Sequence, residues 1–117
     1  MPRDDSVYLQ HIFDAITRIE SYLDQIDEDM FHATPLLQDG VIRQIEIIGE
    51  ATKHLSPAIT TQHLDVPWSD LARMRDKLIH QYFGVDLTTV WLTATEDLPT
   101  LKIMIEEIIV NMGPTLH

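Results

Sequence analysis

The chain has no cysteine, only 4 glycines, and 8 lysines and arginines against 19 aspartates and glutamates. The absence of cysteine excludes a disulfide framework and any thiolate metal site, and it fits a reducing compartment. The shortage of positive charge, a formal net of -11 at neutral pH, argues against broad, sequence-independent binding of nucleic acid, which needs many cations on phosphate. It leaves room for a small site holding one or two phosphates, and it suits a partner of opposite charge. Long hydrophobic runs are missing too. The segment Ile103 to Val110 is interrupted by Glu106 and Glu107 and is far too short to span a bilayer. The N-terminus, Met1-Pro-Arg-Asp-Asp-Ser6, leads into no continuous apolar core of a signal peptide, so a cytoplasmic location with no membrane contact is expected. No Gly-rich phosphate loop, no serine or cysteine nucleophile with a matched base and no defensible carboxylate pair occurs. His11, His32, His54, His63 and His117 lack the spacing of metal ligands and are expected as surface or cap residues, so no metal or cofactor is assigned.

What the chain does have is helical periodicity. Its length of 117 residues predicts a single domain, 1–117. Between Val7 and Ile26 apolar residues fall at Leu9, Ile12, Phe13, Ile16, Ile19, Leu23 and Ile26, the spacing of an amphipathic helix that Asp4, Asp5 or Ser6 opens and Asp27-Glu-Asp29 ends. The acidic run Asp24 to Asp29 then reads as a solvated helix end or as a surface for a basic partner. Thr34 and Pro35 open a second helix to Leu55, apolar on more than one stripe, with Gly49 inside it at a cost of about 1 kcal/mol against alanine that close approach of another helix would offset. A connection over 56–67 holds one short helical turn near Ala58 to His63. A third helix runs from Ser69 or Asp70 to about Tyr82, with Gly84 beyond it. Asp86 caps a last helical region from Leu87 to Met112, kinked or broken at Pro99. In that region Ile103, Ile105, Ile108, Ile109 and Met112 serve the core or a dimer contact. No strand pattern or repeat appears. The expected fold class is all-α, an antiparallel bundle of four to five helices.

The chemistry concentrates in Arg73-Met-Arg-Asp-Lys-Leu-Ile-His-Gln-Tyr-Phe83, which holds three of the eight cations. On a helical wheel Trp68, Leu71, Ala72, Arg75, Leu78, Ile79 and Tyr82 share one face, so Arg75 lies in an apolar stripe and needs a partner. His80 follows five residues later, about 140° round an ideal helix. The two side chains converge only if the helix loosens near Phe83-Gly84 or if two copies of it pair about a two-fold axis. An arginine fork and a near-neutral imidazole suit phosphodiester chemistry without a metal, since RNA carries its own 2′-hydroxyl nucleophile. Spacing alone favours an intrahelical network, with Arg75 paired to a nearby carboxylate, His80 a partly buried hydrogen-bonder and Tyr82 in the core. Arg73 and Lys77 either steer RNA or form a solvated face. Arg43, Glu46 and Glu50 share one side of the second helix, as a salt-bridge cluster or with Glu50 orienting Arg75.

The string Arg75-Asp-Lys-Leu-Ile-His80-Gln-Tyr82 resembles the Arg-x4-His-x-Tyr signature of the HepT-like toxins, a branch of the HEPN superfamily. Trp68 ahead of it, Phe83-Gly84-Val85-Asp86 after it, Val90-Trp91 and Asp97-Leu98-Pro99 downstream, and Ile48-Gly49-Glu50-Ala51 upstream resemble that family in order and spacing. The resemblance implies a HEPN-like homodimer with the motif helices at its interface. It implies a metal-independent endoribonuclease toxin of a type II- or VII-like toxin–antitoxin pair, with Arg75 and His80 as catalytic pair. Asp76 stands where this branch commonly has asparagine. The resemblance further implies an MNT-type nucleotidyltransferase antitoxin that transfers AMP from ATP to Tyr82. An alternative reading is a non-catalytic dimeric module that binds, and is modified by, such a nucleotidyltransferase. The low basic charge favours the module; the Arg75–His80 pair favours the enzyme.

Overall fold

Helix α1 (Asp5–Tyr22) begins where Asp4 turns its carboxylate onto the Ser6 N–H at 3.1 Å, one of the expected caps. Here and below the structure is a computed structural model that describes residues 4–80 and 86–113, residues 75–80 by their backbone alone. The apolar stripe of α1 sends Leu9, Ile12, Ala15, Ile16 and Ile19 fully inside. Each such isoleucine or leucine stabilises the fold by about 1.5–3 kcal/mol relative to an exposed one. The helix stops at Tyr22, four residues short of the expected end. The Leu23 N–H donates to the Ile19 carbonyl at 3.0 Å and the Asp24 N–H to that of Ser21 at 3.4 Å, and Gln25 takes a left-handed φ of 64°. No glycine marks this turn, so periodicity carried the sequence reading through it.

The run Asp24 to Asp29 is not a helix end, which corrects the sequence reading. Asp27 is an N-cap, accepting the Met30 N–H at 2.8 Å, and it opens a short helix α2 (Glu28–Ala33). Glu28 and Asp29 then sit in a first turn, where the helix dipole favours negative charge. Phe31 is the anchor of α2, completely buried against Trp91 with ring centroids 5.5 Å apart.

Helix α3 (Pro35–Lys53) starts after Thr34 with Pro35 in the first turn, as expected, although the Thr34 hydroxyl donates to the Met30 carbonyl instead of capping α3. Val41, Ile45, Ile48 and Ala51 are buried, and so is Gly49. The helix packs on α1 along one side and on α5 along another. Tyr8, near the start of α1, stacks on His54, past the end of α3, while a Cβ at Gly40 would lie 3.3 Å from the Tyr22 ring at the other end, so α1 and α3 run antiparallel. Asp5 closes the first of these ends. It accepts the Ser56 N–H at 2.8 Å and the Ser56 hydroxyl at 2.6 Å across 51 residues of chain.

Helix α4 (Pro57–Gln62) is the expected short turn, and α5 (Trp68–His80) is the third long helix. The last helical region is continuous in three parts: α6 (Leu87–Leu92), a π turn (Thr93–Asp97) and α7 (Leu98–Asn111). Asp86 caps α6 as predicted, accepting the Thr88 and Thr89 N–H groups. The expected break at Pro99 takes the form of the π turn. Proline has no N–H and its ring collides with the carbonyl four residues back in an α-helix, and the wider turn immediately before it relieves this crowding. In α7 Leu98, Leu101, Ile105 and Ile108 face the core and Ile109 packs against it, whereas Ile103 is 61% exposed and Met112 43% exposed. The fold is all-α, a HEPN-like helical bundle of four long elements and two short ones among the described residues. Among the described residues no helix is long and apolar enough to cross a membrane.

Candidate active site

The motif helix is anchored at its beginning. The Trp68 indole N–H donates to the His63 carbonyl at 2.9 Å, the Trp68 amide to that of Val66 at 2.8 Å, and Leu71 is buried in the core. Beyond this anchor the backbone stays helical through residue 80. Residues 75 and 80 therefore sit five helical steps apart, about 7.5 Å along the axis and about 140° round it. The loosening that would bring them together within one helix does not occur before residue 80. Arg75, Asp76, Lys77 and His80 all lie on α5, with their side chains outside the described atoms, and Tyr82 lies outside the described residues. Arg73 is exposed and pairs at 2.9 Å with Asp70, one turn earlier, as a solvated ion pair.

Glu50 stands on α3, the helix against which α5 packs. Its carboxylate is 3.3 Å from His54 Nε2, while Arg43 reaches Glu46 at 4.0 Å. The row Arg43, Glu46, Glu50 thus includes a loose ion pair, as the salt-bridge reading expects, and gains His54 as a further member. Together with Tyr8 and His11 these residues line an open groove of about 510 Å³ between α1 and α3. Tyr8 stacks on His54 with centroids 5.0 Å apart and planes 14° from parallel, and it meets His11 edge-on at 5.9 Å. The groove offers aromatic faces, imidazole nitrogens and charges of both signs, with Arg43 two turns before Glu50 on α3. Its aromatic wall was not legible in the sequence, because Tyr8 and His54 are joined only by the antiparallel packing of α1 on α3. His32 is 3.3 Å from Glu28 on α2, and His63 caps the end of α4. Among the described residues no three His, Asp or Glu side chains gather as metal ligands.

Asp86, at the start of α6, is held below the usual carboxylate range. The Thr89 hydroxyl and then the Thr89 N–H are the chief causes, with smaller help from Thr88 and His32 against a slight opposing desolvation.

Comparison with known proteins connects this arrangement to a family. The family model described as "Ribonuclease HepT-like" matches residues 12–108. The probable ribonuclease HepT of Thermococcus cleftensis is 45% identical over 102 residues, covering 87% of this chain and 93% of that protein. A Methanocaldococcus jannaschii protein with RNase in its name is 39% identical over 110 residues, covering 94% of this chain and 95% of its own length. A longer protein of the same organism, whose name joins a gamma-glutamylcyclotransferase to an RNase, is 46% identical over 102 residues, and the chain spans 46% of it. No solved structure matches the chain. The chain belongs to the HepT-like ribonuclease family, a family of RNA-cleaving enzymes.

Proposed function

We propose that the chain is a metal-independent endoribonuclease toxin whose site is built on α5, with Arg75 and His80 as the catalytic pair. The observation that carries this reading is that Arg75 and His80 of the Arg-x4-His-x-Tyr string lie on a regular helix packed against α3, in a chain of the HepT-like family. In the proposed step the RNA 2′-oxygen attacks the adjacent phosphorus as His80 accepts its proton. The P–O5′ bond breaks, the 5′-oxygen leaves as a hydroxyl that takes its proton from the protonated His80, and a 2′,3′-cyclic phosphate remains. The Arg75 guanidinium stabilises the charge that builds on the non-bridging oxygens. General acid–base help of this kind contributes roughly 10²–10⁴-fold.

A regular α5 sets residues 75 and 80 on different faces, which supports a homodimer in which one protomer supplies arginine and its partner histidine to one cleft. Glu50 and Asp76 would orient Arg75, and Lys77 and Arg73 would guide the phosphate backbone. Control is assigned to a nucleotidyltransferase antitoxin that transfers AMP to Tyr82. The Tyr82 oxygen attacks the α-phosphorus of ATP and pyrophosphate leaves. The resulting bulky anion competes for Arg75 and fills the cleft. The low positive charge keeps a second reading in play, a dimeric module that binds the nucleotidyltransferase without cleaving RNA.

Induced expression in a bacterial host separates the two. Arrest of growth by the wild type but not by His80→Ala or Arg75→Ala, at equal soluble levels, supports the toxin. Absence of arrest from all three supports the module. For the modification, intact mass after incubation with the nucleotidyltransferase and ATP should rise by whole AMP units, and Tyr82→Phe should stay unchanged in mass. An unmodified wild type would count against Tyr82.

A further inference from the structure

A second groove, of about 420 Å³, lies on another part of the motif helix. Among the described residues α5 packs mainly on α3, and α7 packs mainly on α1. A gap is therefore left between the first two turns of α5 and the π turn with the start of α7. Its floor is aliphatic: Leu71, Leu98 and Leu101 are buried there, and Met74 and Met104 are half-buried. Its rim is acidic: Asp70 on one wall, Glu96 and Asp97 on the other, all exposed. Asp70 pairs with Arg73, while Glu96 and Asp97 have no ion-pair partner among the described residues. The volume falls in the ordinary range of ligand sites, about 300–1,000 Å³. Methionine pairs adapt to varied aliphatic partners.

We propose that this groove docks a basic, aliphatic segment of a partner protein. The apolar floor takes leucine-sized side chains, and lysines or arginines flanking them meet Glu96, Asp97 and Asp70. Charge decides against RNA as the occupant, because the rim repels phosphate. The π turn contributes directly, since it places both the Glu96 and Asp97 carboxylates on the wall of the groove. The site sits on the first two turns of α5, immediately ahead of Arg75, so a segment seated there contacts the helix that carries the motif.

The test uses the full chain and a short fluorescent helical peptide with a stripe of leucines flanked by lysines, beside a twin with glutamates in place of the lysines. The expected result has three parts. The lysine peptide binds and the glutamate peptide does not. The methyl resonances of Met74 and Met104 shift on binding while those of Met30 and Met112 stay still. Glu96→Lys with Asp97→Lys weakens binding by about three- to tenfold, as two exposed charge contacts should. The control pair Glu106→Lys with Glu107→Lys makes the same change of net charge on exposed positions outside the groove and leaves the affinity within about twofold. Equal weakening by both pairs would reduce the effect to bulk charge and overturn the proposal. So would binding of both peptides alike, binding that moves Met30 or Met112 instead, or no binding of the lysine peptide.

Discussion

The π turn between α6 and α7 makes a quantitative prediction. Val90, Ala94, Leu98 and Leu101 are each 4% exposed or less, so the helix keeps one face inward across the turn. In an unbroken α-helix, eight steps of 100° would carry Leu98 about 80° away from Val90. One π insertion absorbs about one residue's rotation and leaves the two within about 20°. The Leu98 N–H bonds to the Thr93 carbonyl, five residues back, as this requires. Deleting Thr95, an exposed residue whose hydroxyl donates to the Trp91 carbonyl at 2.8 Å, should turn the segment into α-helix without rotating either apolar face. The deletion has one large cost. Pro99 then stands in a regular helix with its ring against the carbonyl four residues back, worth about 3 kcal/mol. For a chain of this size that lowers Tm by roughly 10–15 °C. Adding Pro99→Ala to the deletion removes the clash and should restore Tm to within a few degrees of the parent. Calorimetry on parent, deletion and double variant measures this. If the double variant melts as low as the deletion alone, the π turn does more than accommodate proline and phase the helix, and the reasoning fails.

Three further predictions rest on single contacts. Asp5→Ala removes both bonds to Ser56 and a carboxylate from the first turn of α1, and should cost about 2 kcal/mol in urea unfolding, with the slope of the transition unchanged. Phe31→Ala empties a fully buried ring site facing Trp91 and should cost about 3–5 kcal/mol; Trp91 fluorescence should shift in the folded state. Asp86 has a folded-state pKa below its ordinary value of 3.8, so its contribution is fully present above that value and is lost as pH falls through the lower, folded one. Asp86→Asn should therefore melt with a shallower loss of stability below about pH 4 than the parent, while stability near pH 7 changes little, since asparagine also caps.

The long helices were legible because their cores repeat at i, i+3 and i+4 over four or more turns; α1 buries Leu9, Ile12, Ile16 and Ile19 of that pattern, α3 buries Val41, Ile45, Ile48 and Ala51, and α7 buries Ile105 and Ile108 but leaves Ile103 and Met112 exposed. Asp86 and Thr34 were legible as helix starts, although only Asp86 uses its side chain for the cap. Helix α2 was not, because an acidic run is ambiguous: the same carboxylates suit a solvated end or a first turn, and the burial of Phe31 decides between them only in three dimensions. The end of α1 was hidden because Gln25, not glycine, takes the left-handed turn. The candidate catalytic residues lie in one short stretch, so a motif could reveal them. The two grooves could not be read in this way: one joins Tyr8 to His54, the other joins α5 to the π turn, and no local spacing encodes either.

Arg75 and His80 are proposed to cleave RNA. The most direct measurement incubates purified wild type, His80→Ala and Arg75→Ala with tRNA and with mRNA transcripts in the presence of a metal chelator, after circular dichroism has shown equal helicity. Cleavage by the wild type should leave 2′,3′-cyclic phosphate ends and be reduced at least about 100-fold in each variant. Equal cleavage by wild type and variants, or no cleavage by any of the three, would contradict it.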